Sequence, residues 1–79
     1  MSNHSLQVSY RFENIGTQRY YRIILSQDLF GEWVVTKIWG GIGKATGRVM
    51  HTHCVCHDDA IKLVDILYKT RKKRGYALC

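Results

Sequence analysis

Between residues 6 and 12 the chain alternates: Leu6, Val8, Tyr10 and Phe12 are apolar or aromatic, while Gln7, Ser9 and Arg11 are polar. That period of two is the signature of a strand with one buried face. Asn14-Ile15-Gly16-Thr17 then supplies turn chemistry. Tyr20 to Leu25 is rich in aromatic and β-branched side chains and predicts a second strand. Gln27-Asp28-Leu29-Phe30-Gly31 interrupts it, and Trp33 to Trp39 predicts a third. The connection between the two is short and contains glycine, so an antiparallel hairpin is the economical link. Gly40, Gly41, Gly43 and Gly47 punctuate the next turn, and Arg48 to Val55 predicts a fourth strand.

The period then changes. From Asp58 to Arg74, at about 100° per residue, Ala60, Ile61, Leu63, Val64, Leu67 and Tyr68 fall on one arc. Lys62, Asp65, Lys69, Lys72 and Lys73 fall on the opposite arc, and Gly75 marks the stop. Asp58 and Asp59 suit the positive end of the helix dipole, and the basic run from Lys69 to Arg74 suits the negative end. The expected architecture is α+β: a small curved antiparallel β-sheet with one amphipathic C-terminal helix packed on a face.

A length of 79 residues leaves room for one domain, read here as 1–79 with a core of about 6–76. Folding at this size buries roughly 60% of the chain's surface, so a large internal active-site cavity is not expected. The composition, 46% hydrophobic and 23% charged, is that of a globular chain. No apolar run exceeds the four residues Tyr76–Cys79, which argues against a membrane span or signal-peptide core and for a cytoplasmic location. The three cysteines, Cys54, Cys56 and Cys79, are an odd number and are expected to be reduced thiols.

Charge changes the picture by its distribution. Residues 1–36 balance three basic against three acidic side chains, whereas residues 37–79 carry nine basic against three acidic. The whole net charge of +6 therefore belongs to the second half, which predicts an electropositive surface suited to polyanions, nucleic acid ahead of anionic membrane. Solubility alone also accounts for such a charge.

Three segments carry candidate chemistry. Trp39 before Gly40-Gly41-Ile42-Gly43 places a large aromatic beside permissive backbone, flanked by Lys37, Lys44 and Arg48. It reads either as a core residue next to a hairpin or as a platform for a sugar or base. Lys69 to Arg74 holds five basic residues in six positions, a phosphate-contacting patch or a solvated helix end. Four phosphates neutralised there would give a slope of log K against log salt of about −3.6, with affinity but no sequence preference.

His51-Thr52-His53-Cys54-Val55-Cys56-His57 is the densest set of potential metal ligands. Continued as a strand, it would turn His51, His53 and His57 to one face and Cys54 and Cys56 to the other, with Met50. The spacing also lacks the paired motif of structural zinc, so no metal site is expected and the two thiols read as core filling. A Cys/His nucleophile pair would need a pocket and an orienting group that this chain does not promise. The expectation is a non-enzymatic protein with no cofactor, no small-molecule substrate and no membrane partner.

The order Tyr20-Tyr21-Arg22-Ile23-Ile24-Leu25, Trp39-Gly40-Gly41-Ile42-Gly43, a strand, and a helix opening Asp58-Asp59-Ala60-Ile61 resembles the WGR domain, from about Leu6 to Gly75-Tyr76. That module occurs in poly(ADP-ribose) polymerases and in many bacterial proteins. The resemblance implies a DNA-binding and interaction module without catalysis. The family's signature tryptophan, here Trp39, packs against a nucleotide sugar at or near a DNA break while basic residues hold phosphates. The signature arginine falls on Gly41, where this chain departs from the pattern; Arg48 or Lys44 are the candidates to compensate. The site implied is Trp39, Gly40 and Gly41 with Lys37, Lys44 and Arg48, extended by Lys69, Lys72, Lys73 and Arg74. The alternative is a protein–protein adaptor whose docking patch includes Trp33, Phe30 or Ile66, with only generic electrostatic affinity for nucleic acid.

Overall fold

The computed structural model describes residues 7–79; Leu6, expected at the start of the first strand, lies outside them. Five strands form one antiparallel sheet: β1 (Val8–Asn14), β2 (Arg19–Gln27), β3 (Trp33–Gly41), β4 (Gly47–Cys54) and β5 (Ala77–Leu78). Their spatial order is β4-β3-β2-β1-β5, with one helix, α1 (His57–Lys73), inserted between β4 and β5. The expected sheet and helix are present. The helix is followed by a short strand absent from the sequence reading: Ala77 and Leu78 pair with Glu13 and Phe12.

Register places the core. Phe12 pairs with Tyr21, Leu25 with Val35, and Tyr21 with Trp39, so these side chains share the sheet face that α1 covers. Phe12, Ile23, Val35 and Ala60 are fully buried, joined by Tyr21, Leu25 and Val64. Leu63, Leu67 and Tyr68 pack against this cluster from the helix, whereas Ile61, expected on the buried arc, is 44% exposed. The helix lies mainly over β2 and β3, the two longest strands.

The ends of the elements follow local chemistry. The Asn14 side-chain oxygen accepts the Thr17 N–H at 3.2 Å, closing the β1–β2 turn. The helix ends in a Schellman motif: the Tyr76 N–H donates to the Arg71 carbonyl and the Gly75 N–H to the Lys72 carbonyl. Gly75 takes φ +86°, the left-handed conformation this motif requires. The chain then reverses into β5 and carries Tyr76 back over the sheet.

Two expectations about the cysteine-rich segment are corrected here. β4 stops at Cys54, so strand alternation does not extend to Cys56 and His57. Cys56 is instead the exposed N-cap of α1, and the His57 ring packs on Trp33 with centroids 4.6 Å apart. Cys54 alone packs against the core, and Met50, expected beside it in the interior, is 48% exposed. All three cysteines are free thiols.

Candidate nucleic-acid interface

Tyr21 and Trp39 are cross-strand partners on the helix-covered face, and their rings lie nearly parallel, 6.1 Å apart with a 21° interplanar angle. Above them the last turn of α1 lowers Arg71, whose guanidinium carbon stands 4.1 Å over the Tyr21 ring and 5.2 Å from the Tyr76 ring. Tyr76, delivered by the reversal at Gly75, meets Tyr21 edge-on at 6.4 Å. Four side chains from β2, β3, the helix end and the β5 approach thus form one array, Trp39–Tyr21–Arg71–Tyr76. Burial pushes the Tyr21 hydroxyl above its ordinary pKa; the Arg71 charge pulls it partly back and Tyr76 adds to the rise.

Several basic side chains surround the array. Arg48 is the cross-strand partner of Trp39, and Lys37 lies two residues before it in β3, so all three project from one face. Arg19 pairs with Gly41 and shares that face with Tyr21. Lys44 lies in the following turn, where its N–H donates to the Gly41 carbonyl at 3.1 Å. Gly43, at φ +79°, supplies the third-position conformation such a turn demands. At the helix end Lys73 and Arg74 are exposed. Lys69 pairs with Asp65 at 2.9 Å, and the Lys72 ammonium lies 6.0 Å from the Tyr68 ring centre.

The glycines beside Trp39 have different jobs. A Cβ on Gly40 would come within 3.2 Å of the Gly47 Cα and 3.3 Å of the Tyr20 ring. A Cβ on Gly47 would come within 2.7 Å of the Tyr20 hydroxyl. The pair makes a trough on the face away from the helix, and Tyr20 fills it, with the Arg11 guanidinium carbon 4.8 Å from the Tyr20 ring centre. A Cβ on Gly41 would meet the Lys44 side chain at 2.8 Å, a contact with a flexible chain.

The structure therefore gathers Trp39, Gly41, Lys37, Lys44 and Arg48 at one end of the β3–β4 hairpin, and Arg71 ties the basic helix end to it through Tyr21. Sequence reading missed Tyr21, Tyr76, Arg19 and Arg71 as members. The spacing of Arg71 from Val64, seven residues, was the available signal for its inward position.

The WGR domain family model matches residues 6–78. The chain belongs to the WGR domain family. It is also 36% identical over 58 residues to the uncharacterized protein y4dW of Sinorhizobium fredii (strain NBRC 101917 / NGR234). The aligned stretch is 73% of this chain but spans only 28% of that relative. No solved structure matches the chain. Among the described residues no helix is long and apolar enough to cross a membrane.

Proposed function

We propose that this WGR domain is a non-enzymatic DNA-binding module that favours ends, nicks or single-stranded junctions. The observation that carries the reading is the Trp39–Tyr21–Arg71–Tyr76 array flanked by Lys37, Arg48 and Arg19. A half-buried tryptophan edged by cations offers an aromatic surface to a sugar or base where a strand is interrupted. Such stacking contributes roughly 1–3 kcal/mol per base. The basic side chains hold phosphates and supply affinity without sequence preference. With glycine at position 41, two cations adjoin the vacated signature position: Lys44, whose side chain lies 2.8 Å from where a Cβ would stand, and Arg19, directly across the strand pair.

Fluorescence anisotropy with an intact duplex and a duplex carrying a 5′-phosphorylated recessed end, across a salt series, tests this. The expected result is tighter binding to the broken duplex that persists at physiological salt and disappears in a folded Trp39→Ala variant. Equal, steeply salt-dependent binding to both duplexes would overturn the platform.

A specific observation also supports docking to a protein partner. At the end of the sheet away from the Trp39 turn, Leu29 and Phe30 are 100% and 88% exposed. Val55, which follows Cys54 at the end of the sheet where Cys54 pairs with Trp33, is 94% exposed. Large apolar side chains left exposed at one end of a sheet are candidates for an interaction surface. Trp33 itself is half-buried against the core and His57. Ile66 is 59% exposed on the helix.

A further inference from the structure

The turn joining β2 to β3 presents two carboxylates to one imidazole. Asp28, Glu32 and His53 each bring a ligand atom within 4.8 Å of the others. The turn is held stiffly. Asp28 Oδ1 accepts the N–H groups of Phe30 and Glu32, both at 2.9 Å, and the Asp28 N–H donates to the Glu32 carbonyl at 2.9 Å. The Gln27 amide closes the outside of the turn by donating to the Gly31 carbonyl at 2.8 Å. With Oδ1 engaged, the second oxygen, Oδ2, faces His53 Nε2 across 4.0 Å, too far for a hydrogen bond.

The other histidines of the segment are engaged elsewhere. His51 Nδ1 is bonded to the Thr36 hydroxyl at 2.9 Å, and His57 packs on Trp33. His53 alone turns a ring nitrogen toward the carboxylates, because it stands opposite Val34 at the end of β4 nearest the turn.

We propose that Asp28, Glu32 and His53 form a binding site for a divalent transition-metal ion of the zinc class. One imidazole nitrogen and two carboxylates are borderline-to-hard ligands suited to such an ion. Ligand atoms about a tetrahedral zinc stand roughly 3.3 Å apart, so separations of up to 4.8 Å need to close by as much as about 1.5 Å. The exposed side chains of Glu32 and His53 permit that movement while Asp28 stays fixed in the turn. Three protein ligands leave a fourth position to water or to a side chain of a partner. The ion fastens the β2–β3 turn to the exposed edge strand β4. Its site is at the opposite end of β3 from Trp39 and is independent of the DNA reading.

The test is titration calorimetry of the metal-stripped full chain with zinc chloride, alongside Asp28→Asn, Glu32→Gln and His53→Ala. Asn retains the oxygen that holds the turn, and Glu32 and His53 are exposed, so the variants keep the fold. The expected result is one ion per chain, with affinity falling by about tenfold or more in each variant, the equivalent of a lost ligand. The cobalt form should lack the charge-transfer band of thiolate ligation. Absence of zinc binding overturns the proposal. So does binding that survives all three variants, or binding lost on Cys54→Ala or Cys56→Ala.

Discussion

The guanidinium of Arg71 lies 4.1 Å over the ring of Tyr21, and its Nε is buried with no hydrogen-bond partner among the described residues. Arg71 belongs by sequence to a basic run and by geometry to the core-facing stripe of the helix. It joins the end of α1 to the sheet at the point where Trp39 is also held, so the aromatic array depends on it.

Replacing Arg71 separates charge from planarity. A cation over an aromatic face contributes roughly 0.5–2 kcal/mol, and the unpartnered Nε offsets part of that. Arg71→Ala should lower unfolding stability by about 1–2 kcal/mol, and Arg71→Lys by about half as much, because lysine keeps the charge but cannot stack as a plane. Urea denaturation at constant salt measures both. A lysine variant as stable as the parent would show that charge alone, and not the stacked plane, is what matters.

The glycines around Trp39 should separate into tolerant and intolerant positions. Gly47→Ala forces a Cβ to within 2.7 Å of the Tyr20 hydroxyl and 3.0 Å of the Trp39 carbonyl. Overpacking of this kind typically costs about 1–3 kcal/mol. Gly41→Arg meets only the Lys44 side chain, which can swing away, so that variant should stay folded. It also restores the family's signature cation and should tighten DNA binding. Melting curves read the first effect and anisotropy the second. Weaker DNA binding by a folded Gly41→Arg protein would count against this end of the sheet as the interface.

Much of this arrangement was legible in the chain, and the losses have identifiable physical causes. Alternation through Val8, Tyr10 and Phe12 is a local property, so it predicted one buried face for β1, and Phe12 lies in the core. β2 and β3 were legible as strands from their aromatic and β-branched content, but that Tyr21, Ile23, Leu25 and Val35 share the buried face follows from register. Ala77 and Leu78 are too few to show a period, and their pairing with β1 depends on the reversal at Gly75. Cys56 and His57 were misplaced because parity was carried past Cys54, where the strand ends, onto the N-cap and first residue of α1. Arg71 was grouped with its charged neighbours, although seven steps from Val64 return it to within about 20° of the core direction. The trough that Gly40 and Gly47 form for Tyr20 is a relation among three strands, visible only once register is known.

The salt dependence of DNA binding should distinguish cations that are free from those already paired. Lys69 is engaged with Asp65 at 2.9 Å, whereas Lys73 and Arg74 stand exposed beyond it at the helix end. Each phosphate contact removed lowers the slope of log K against log salt by about 0.9. Lys73→Ala and Arg74→Ala should each approach that decrement, and Lys69→Ala should fall well short of it. Equal effects from all three would mean that the whole run acts as a diffuse charge and that no individual side chain is fitted to a phosphate.

Stability should decline on the alkaline side for reasons that can be assigned to two residues. Burial raises the Tyr21 hydroxyl above the ordinary tyrosine pKa of 10, with Arg71 opposing and Tyr76 reinforcing the shift. Burial, then Asp59 and Cys56, likewise raises the Cys54 thiol above 9.0. For both groups the folded protein holds the proton more tightly than the unfolded chain. Their contribution to stability is therefore complete below the unfolded pKa and is lost as pH rises from there toward the folded value. The loss begins near pH 9 for Cys54 and near pH 10 for Tyr21. Urea unfolding across that range should show a falling free energy whose earlier part is removed by Cys54→Ala and whose later part is removed by Tyr21→Phe. An alkaline decline of undiminished slope in the double variant would place its cause in other groups. It would also show that desolvation of Tyr21 beneath Arg71 is weaker than the packing implies.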